Sequence, residues 1–579
     1  GFTIRHIACL SSYRYSCFYK KRNNFPCYLT SSMTNYGAKI LNNSVGALRA
    51  HQALIAVTGN NIQNANTPGY VRRSVELQAG GTAGASAGLN IGNGVNIGNL
   101  VRSADEYLNK LVRESGGEAK GSEVELSFLQ RVEGLFDLTG QKPTIGNSLT
   151  AFFNAFNDLS ANPSSIELRA NVIARTNDLV SIIKTTFSSI ANLQQEADQR
   201  IGNEVNVVNG LTAQIAVLNG RITGKEKGGA GVAADERDQR DRLMEQLAEK
   251  LSFQSVEQTD GSVLIYLPNG FPLVSGTTSK QLEFTAAPSF ATNPPVSLSG
   301  GQLGYIVYDS DPGAGESHLN LTEFIKDGKG VIPSLLKVRG YNDPSSTSAF
   351  QADGILVSAA KRVEAVTLQL LTTVNQEYKG PDEDPGTAGW QNSSTTLSGA
   401  MPYQLGLFNL SSNVLGSIYT NGGIVGYPEV GDFDLTTGPY SSLTQYIVVV
   451  PTDPAQIAAG RDLDPVAGSI LGAPGDGSNA RAIANLRNQT FNFTVLPPAS
   501  LNESGTFDSF YNNTVTYVGN AKASAELSAS VANDNYLSAQ TRKDEVTAVS
   551  LDEEFTNLIK YQKGYEASAR LIKIADDLL

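Results

Sequence analysis

Cysteine is absent from Met33 to the end of this 579-residue chain; the three it has, Cys9, Cys17 and Cys27, all lie before that point. No disulfide framework or thiolate metal site can therefore support the body of the protein. Histidine is equally scarce. His6, His51 and His318 are far apart in sequence, and neither His-Glu-x-x-His nor Cys-x-x-Cys occurs, so the common zinc-binding patterns are missing. No stretch approaches the roughly 18 uninterrupted apolar residues of a membrane-spanning helix, which argues against membrane insertion. Charge is thin at 17%, against 40% hydrophobic residues, which is enough apolar material for several cores. What charge there is leans acidic, with a formal net of −12 and a pI near 5.0. Nucleic acid and anionic membrane surfaces would both repel it.

Residues 1–32 differ from the rest. They carry all the cysteine, the basic residues Arg5, Arg14, Lys20, Lys21 and Arg22, and no acid. The basic residues interrupt any apolar core of the kind a secretory signal needs. The segment is expected to be a non-native or mis-annotated N-terminal extension, and without its five positive charges the remainder would stand at −17.

What the chain has is periodicity. Apolar residues recur at helical spacing through Leu126, Leu129, Val132 and Phe136, then Ile145, Leu149, Phe152, Phe153, Phe156 and Leu159, where Asn162-Pro163 stops the pattern. Ser164-Ser-Ile-Glu167 has the form of a capping box opening the next helix. From Leu168 to Ile222 the stripe continues without proline, predicting a rod that would break at Gly202 or Gly210 if anywhere. Asp235 and Glu236 suit the N-terminus of a further helix. The period then changes: Val263–Leu267 and Phe271–Val274 flank Pro-Asn-Gly, a hairpin signal. Helical spacing returns through Leu356–Val374 and from Phe507 onward.

The two ends look alike. Leu41, Ser44, Leu48, His51, Ile55, Thr58 and Ile62 alternate spacings of three and four, and so do Leu551, Phe555, Leu558, Gln562, Tyr565, Ala569, Ile572 and Asp576. Each set is the seam of an amphipathic helix interrupted by polar residues. Such helices are marginal alone and ordered by a partner.

After the first seam the chain reads Asn60-Asn61-Ile-Gln-Asn64-Ala-Asn66-Thr-Pro68-Gly69-Tyr70. This closely resembles the signature of flagellar rod, hook and hook-associated proteins. Gly92–Leu108, Phe152–Asn162, Asp238–Leu243 and Ser-Leu-Asp-Glu-Glu from Ser550 narrow the resemblance to the FlgK family of hook-associated proteins, over about two thirds of the chain. It implies an α+β multidomain fold: terminal helices paired as a coiled coil, a long-helix bundle, and inserted β-rich outer domains. The corresponding partition is 33–100 plus 540–579 for an inner assembly domain, 101–252 plus 353–380 plus 478–539 for a helical domain, 253–352 for a β-rich region, and 381–477 for a variable outer β-rich region.

The resemblance also implies a role. Subunits would self-assemble into a ring joining hook to filament, outside the cell at the hook-filament junction of the bacterial flagellum. The partners it implies are the chain itself, the flagellar hook protein, a second junction protein, and the flagellar export chaperone and type III export apparatus. The assembly residues would be Leu41, Leu48, His51, Ile55 and Ile62 on the first helix, the turn residues Asn60, Asn61, Asn64, Asn66, Pro68, Gly69 and Tyr70, and Leu551, Phe555, Leu558, Gln562, Tyr565, Ala569 and Ile572 on the last.

Catalysis is not expected, nor any cofactor or metal. Gly84-Ala-Ser86-Ala-Gly88 fits the nucleophile-elbow pattern but has no apolar strand leading into it. Gly92, Gly94 and Gly98 miss the dinucleotide fingerprint by one residue. Asp382–Asp384, Asp432/Asp434 and Asp462/Asp464 lack EF-hand spacing. The rival readings are another axial component, the hook or distal rod, against which the long helical region argues, and a calcium-stabilised surface adhesin, which leaves the matched ends unexplained.

Overall fold

The computed structural model describes residues 29–81, 92–136, 143–227, 232–286, 297–298, 302–309, 318–341, 354–379, 394–395, 406–410, 443–461, 475–495 and 501–578. The three cysteines, Ser86 and the acidic clusters at 382–384, 432–434 and 462–464 lie outside the described residues. The fold is mostly helical with small antiparallel sheets, and the chain divides into two compact units.

The first unit gathers residues up to 66, 72–102 and 549–579, so the two ends of the sequence meet in it. Helix α1 (Leu29–Asn64) packs on one side against a hairpin of β1 (Arg73–Ala79) and β2 (Val95–Arg102), and on another along the last helix, α12 (Leu551–Leu578). A bulge between Val75 and Leu77 interrupts the hairpin register opposite Gly98, where a side chain would strike the Glu76 carbonyl at 2.8 Å.

The second unit holds residues 67–71 and 103–548. Its spine is α4 (Ile166–Glu226), an unbroken helix of 61 residues, about 90 Å at 1.5 Å per residue. The break expected at Gly202 or Gly210 does not occur: Gly202 lies under the Phe284 ring, with room for no side chain, and helices on several sides supply the packing that two glycines withhold. The cap also falls one residue later than expected. Ser165, not Ser164, accepts the Leu168 amide, so Glu167 stands in the first turn instead of closing a reciprocal box. The helices α3 (Ile145–Ala161), α5 (Ala234–Lys250), α7 (Val331–Arg339) and α8 (Ile355–Gln369) pack on this spine.

The hairpin expected at 263–274 is present as β4 (Val263–Tyr266) and β5 (Pro272–Ser275), flanked by β3 (Gln254–Glu257) and β6 (Thr278–Ser279) in one meander. A second sheet joins β7 (Glu283–Thr285), β8 (Tyr305–Asp309) and β9 (His318–Asn320). The described strands of this region lie within 254–320; the expected β-rich region 253–352 ends early, because the chain returns to helix at α6 (Thr322–Ile325) and α7, whose buried apolar face packs on the spine. Between 381 and 477 the described strands form two small pairs. These are β10 (Ser394–Thr395) with β13 (Gly460–Arg461) and β11 (Phe408–Leu410) with β12 (Ile447–Val449).

A π-helical turn, Leu370–Val374, joins α8 to α9 (Asn375–Lys379). After α10 (Ser478–Asn485) and the hairpin β14 (Phe491–Val495) with β15 (Leu501–Gly505), α11 (Phe507–Thr547) runs back along α2 (Glu106–Phe136). Its buried residues Val518, Ala525, Ala532 and Ala539 are spaced by seven; on α2, Gly116 lies against Tyr536 of α11, while Gly117 and Gly121 lie against Ala248, Gly330 and Ser334. These small residues let the backbones approach closely. At the other end an aromatic cluster of Phe152, Phe153, Phe156, Phe408, Phe493, Phe507 and Phe510 closes the core.

Candidate assembly site

The terminal unit is organised around Asn61, 1% exposed near the end of α1. Its side-chain amide donates to the Arg73 carbonyl at 2.9 Å while its oxygen accepts from the Arg73 amide at 3.1 Å. The side chain thus acts as one rung of a β ladder between helix and strand. The same Nδ2 donates to Glu554 Oε2 at 3.1 Å, and Glu554 Oε1 accepts from Arg72 Nε at 2.8 Å. Glu554 is 2% exposed. Its buried charge is tolerable because both oxygens are bonded, one to a cation. Arg72 also reaches Glu553 at 3.1 Å.

The two helices are antiparallel. Asn61 meets Glu554 near the start of α12, and ten residues earlier in α1 His51 stands against Gly564, ten residues later in α12. On α12 the inward stripe is Glu554, Tyr561, Ser568 and Ala575, again spaced by seven; three are buried and Tyr561 half-buried. On α1 the most buried residues are Ser44, Ala50, Leu54, Thr58 and Asn61.

The residues singled out in the sequence take varied positions. Leu41, Leu48, His51, Ile55 and Ile62 are half-buried on α1. On α12, Leu558, Tyr565 and Ile572 are half-buried, while Leu551, Phe555, Gln562 and Ala569 are exposed. The apolar set of α12 therefore lies beside the α1-facing stripe, and Leu551, Phe555, Ile559, Leu571 and Ile574 all face solvent.

Residues 67–71 belong with the second unit. Pro68 and Gly69 occupy the two central positions of a turn closed by the Tyr70 amide on the Thr67 carbonyl at 3.1 Å. Gly69 has φ +73°, the left-handed value glycine supplies there. Arg242 on α5 donates to the Pro68 carbonyl at 3.2 Å, and a side chain on Gly69 would lie 2.6 Å from Arg242 Cγ. Asn60, Asn66, Pro68 and Gly69 are exposed, Tyr70 is half-buried, and Asn64 donates to the Asn60 carbonyl at 2.9 Å.

The Asp238–Leu243 stretch clamps α5 onto α4. Arg240, 1% exposed, donates to Asn219 Oδ1 at 3.1 Å and the Gly261 carbonyl at 2.7 Å, and reaches Glu257 at 3.2 Å. Arg237 forks onto both oxygens of Glu226 at 2.8 Å. That hydrogen-bonded pairing holds the Glu226 carboxyl below the usual carboxylate range, against the opposing effect of burial. Further along the unit, burial pushes the Tyr378 phenol up to about 12.

Arg72, Glu554, Gly564 and Arg242 were not singled out as site residues. The signal for Glu554 is the stripe Glu554, Tyr561, Ser568 and Ala575, spaced by seven outside the apolar seam; Gly564 lies off that stripe, and no local signal marks it. Among the described residues no group of three or more His, Cys, Asp or Glu could hold a metal, and no helix is long and apolar enough to cross a membrane.

This arrangement has relatives. Residues 41–70 match the model "Flagella basal body rod protein" and residues 543–579 match "Flagellar basal body rod FlgEFG protein C-terminal". Both ends of the chain therefore resemble the ends of flagellar rod-type proteins. Residues 129–389 match "Flagellar hook-associated protein FlgK helical domain". Flagellar hook-associated protein 1 of Salmonella typhimurium is 24% identical, covering 93% of this chain and 98% of that protein, and its Escherichia coli K12 counterpart gives the same figures. The Bacillus subtilis protein of that name is also 24% identical, over 92% of this chain and 95% of its own length. In fold, the chain is similar to the flagellar hook junction protein FlgK from Burkholderia pseudomallei, with TM-score 0.54 and 14% identity, over 75% of this chain and 99% of that one. Over most of its length the chain is thus similar to proteins of the FlgK family.

Proposed function

We propose that this chain is a structural, non-enzymatic component of the hook-filament junction, self-assembling into a ring that joins hook to filament outside the cell. The observation that carries the reading is the FlgK helical domain lying between two terminal segments that match axial-protein models. In this reading the first and last helices of neighbouring copies form a coiled-coil tube. Leu551, Phe555 and Ile559 supply apolar surface that is exposed in the single chain. Leu41, Leu48, Ile55 and Ile62, with Leu558, Gln562, Tyr565, Ala569 and Ile572, complete the contacts, and the Asn60–Tyr70 turn fixes where α1 ends.

The hook protein and a second junction protein are the axial neighbours of this ring. Export runs through the flagellar type III apparatus, and a chaperone masks α12 beforehand, because its exposed apolar face invites premature association. The strand-bearing stretches within 253–320 and 381–477 serve as outer parts of the subunit.

Deletion of the gene tests the role directly, by electron microscopy of cells and assay of flagellin in the medium. Hooks without filaments, with flagellin lost to the medium, are expected. Missing hooks would move the chain to the rod or hook, and normal filaments would remove it from the junction.

A further inference from the structure

We infer that His51 and Gly564 form a register key that selects the alignment of α1 on α12, and so decides which face of α12 is left for a partner. This key lies in the chain's own helix pair and is distinct from the junction role. A methyl group on Gly564 would stand 2.6 Å from His51 Nε2 and 2.9 Å from its Nδ1, well inside contact distance. The imidazole occupies the space where a side chain of α12 would otherwise be, with its Nδ1 buried and without a hydrogen-bond partner. Its role there is steric.

The second fixed point is Asn61 with Glu554, ten residues further along α1 and ten residues back along α12. On α-helices that separation is about 15 Å. Sliding either helix by one heptad would keep the Glu554, Tyr561, Ser568 and Ala575 stripe turned toward α1, so heptad phase alone does not forbid it. The slide would set His51 against Asn557 or Leu571 in place of glycine, and would move the buried Glu554 carboxylate away from both Asn61 and Arg72. One register satisfies the cavity and the charge together. In that register Phe555, Ile559, Leu571 and Ile574 point outward. A slipped pair would present a different surface.

The key makes a prediction of sign. Alanine is the better helix former, so Gly564→Ala without a steric partner raises the helical population about fivefold. With His51 in place, overpacking lowers it about tenfold. Hydrogen-deuterium exchange on the full chain reads this at residues 559–568, with the exchange of α3 as the internal check that the helical unit stays folded. The expected results are lower α12 protection in Gly564→Ala, higher protection in the His51→Ala/Gly564→Ala double variant than in His51→Ala, and native protection in His51→Phe, which keeps a ring. Such a reversal of sign between backgrounds is the mark of direct coupling. Gly564→Ala raising protection equally in both backgrounds would overturn the key. So would a native chain in which residues 559–568 exchange without protection, since a pair that does not form sets no register.

Discussion

Among the described residues asparagine performs one task four times. From helical positions, Asn61 holds both backbone groups of Arg73, Asn209 those of Leu282, Asn219 those of Val263, and Asn375 those of Phe408. A primary amide presents one donor and one acceptor side by side, as the peptide group does, so it can dock an extended segment onto a helix that has no backbone groups to spare. Asn375 does this in the buried core beside the π turn. Asn375→Ala removes both bonds and leaves the Phe408 peptide unpaired, with an expected cost of about 2–3 kcal/mol in urea unfolding of the helical unit. Glu226 gives a pH prediction. Its folded pKa is depressed by Arg237, so its contribution is complete above the ordinary carboxylate value of about 4.3 and is lost as pH falls through the folded value. The acid limb of the stability curve should flatten in Glu226→Gln, which thermal melts across that range will show.

At the scale of elements, small residues decide which helices pair. The α2–α11 seam rests on alanines spaced by seven, with Gly116 of α2 against Tyr536 of α11, and Ala532→Leu forces three further heavy atoms into a buried contact. A loss of about 1–3 kcal/mol is expected, measurable by urea titration. The spine α4 stays whole because its glycines differ in surroundings. Gly202 is covered by Phe284, whereas Gly210 is exposed with open space around it. Gly210→Ala should therefore stabilise the helical unit by about 0.5–1 kcal/mol, and the same change at Gly202 should not.

At the scale of the molecule, the terminal unit and the helical unit each have their own contacts. The terminal one is closed by a single buried carboxylate joining α1, the start of β1 and α12. Glu554→Ala leaves Asn61 and Arg72 without that partner and should cost about 2 kcal/mol there. In exchange measurements on the full chain, protection should fall in α1 and α12 while α3 and α4 keep theirs. Equal loss in both units would show that they unfold together.

Most of the helices were legible because their apolar residues recur at 3.6-residue spacing over long stretches, and the 263–274 hairpin because Pro-Asn-Gly separates two apolar runs. The matched ends and the Asn-rich turn were legible as local patterns. Which residues of those ends touch was settled by tertiary structure alone. The contact runs through Glu554, Gly564, Ser568 and Ala575, where closeness of backbones and a paired charge outweigh apolar area, and nothing in local spacing distinguishes those residues from their apolar neighbours. The unbroken α4 was likewise decided by what packs on it. A glycine weakens a helix intrinsically, but burial under a neighbouring ring contributes more than the propensity takes away.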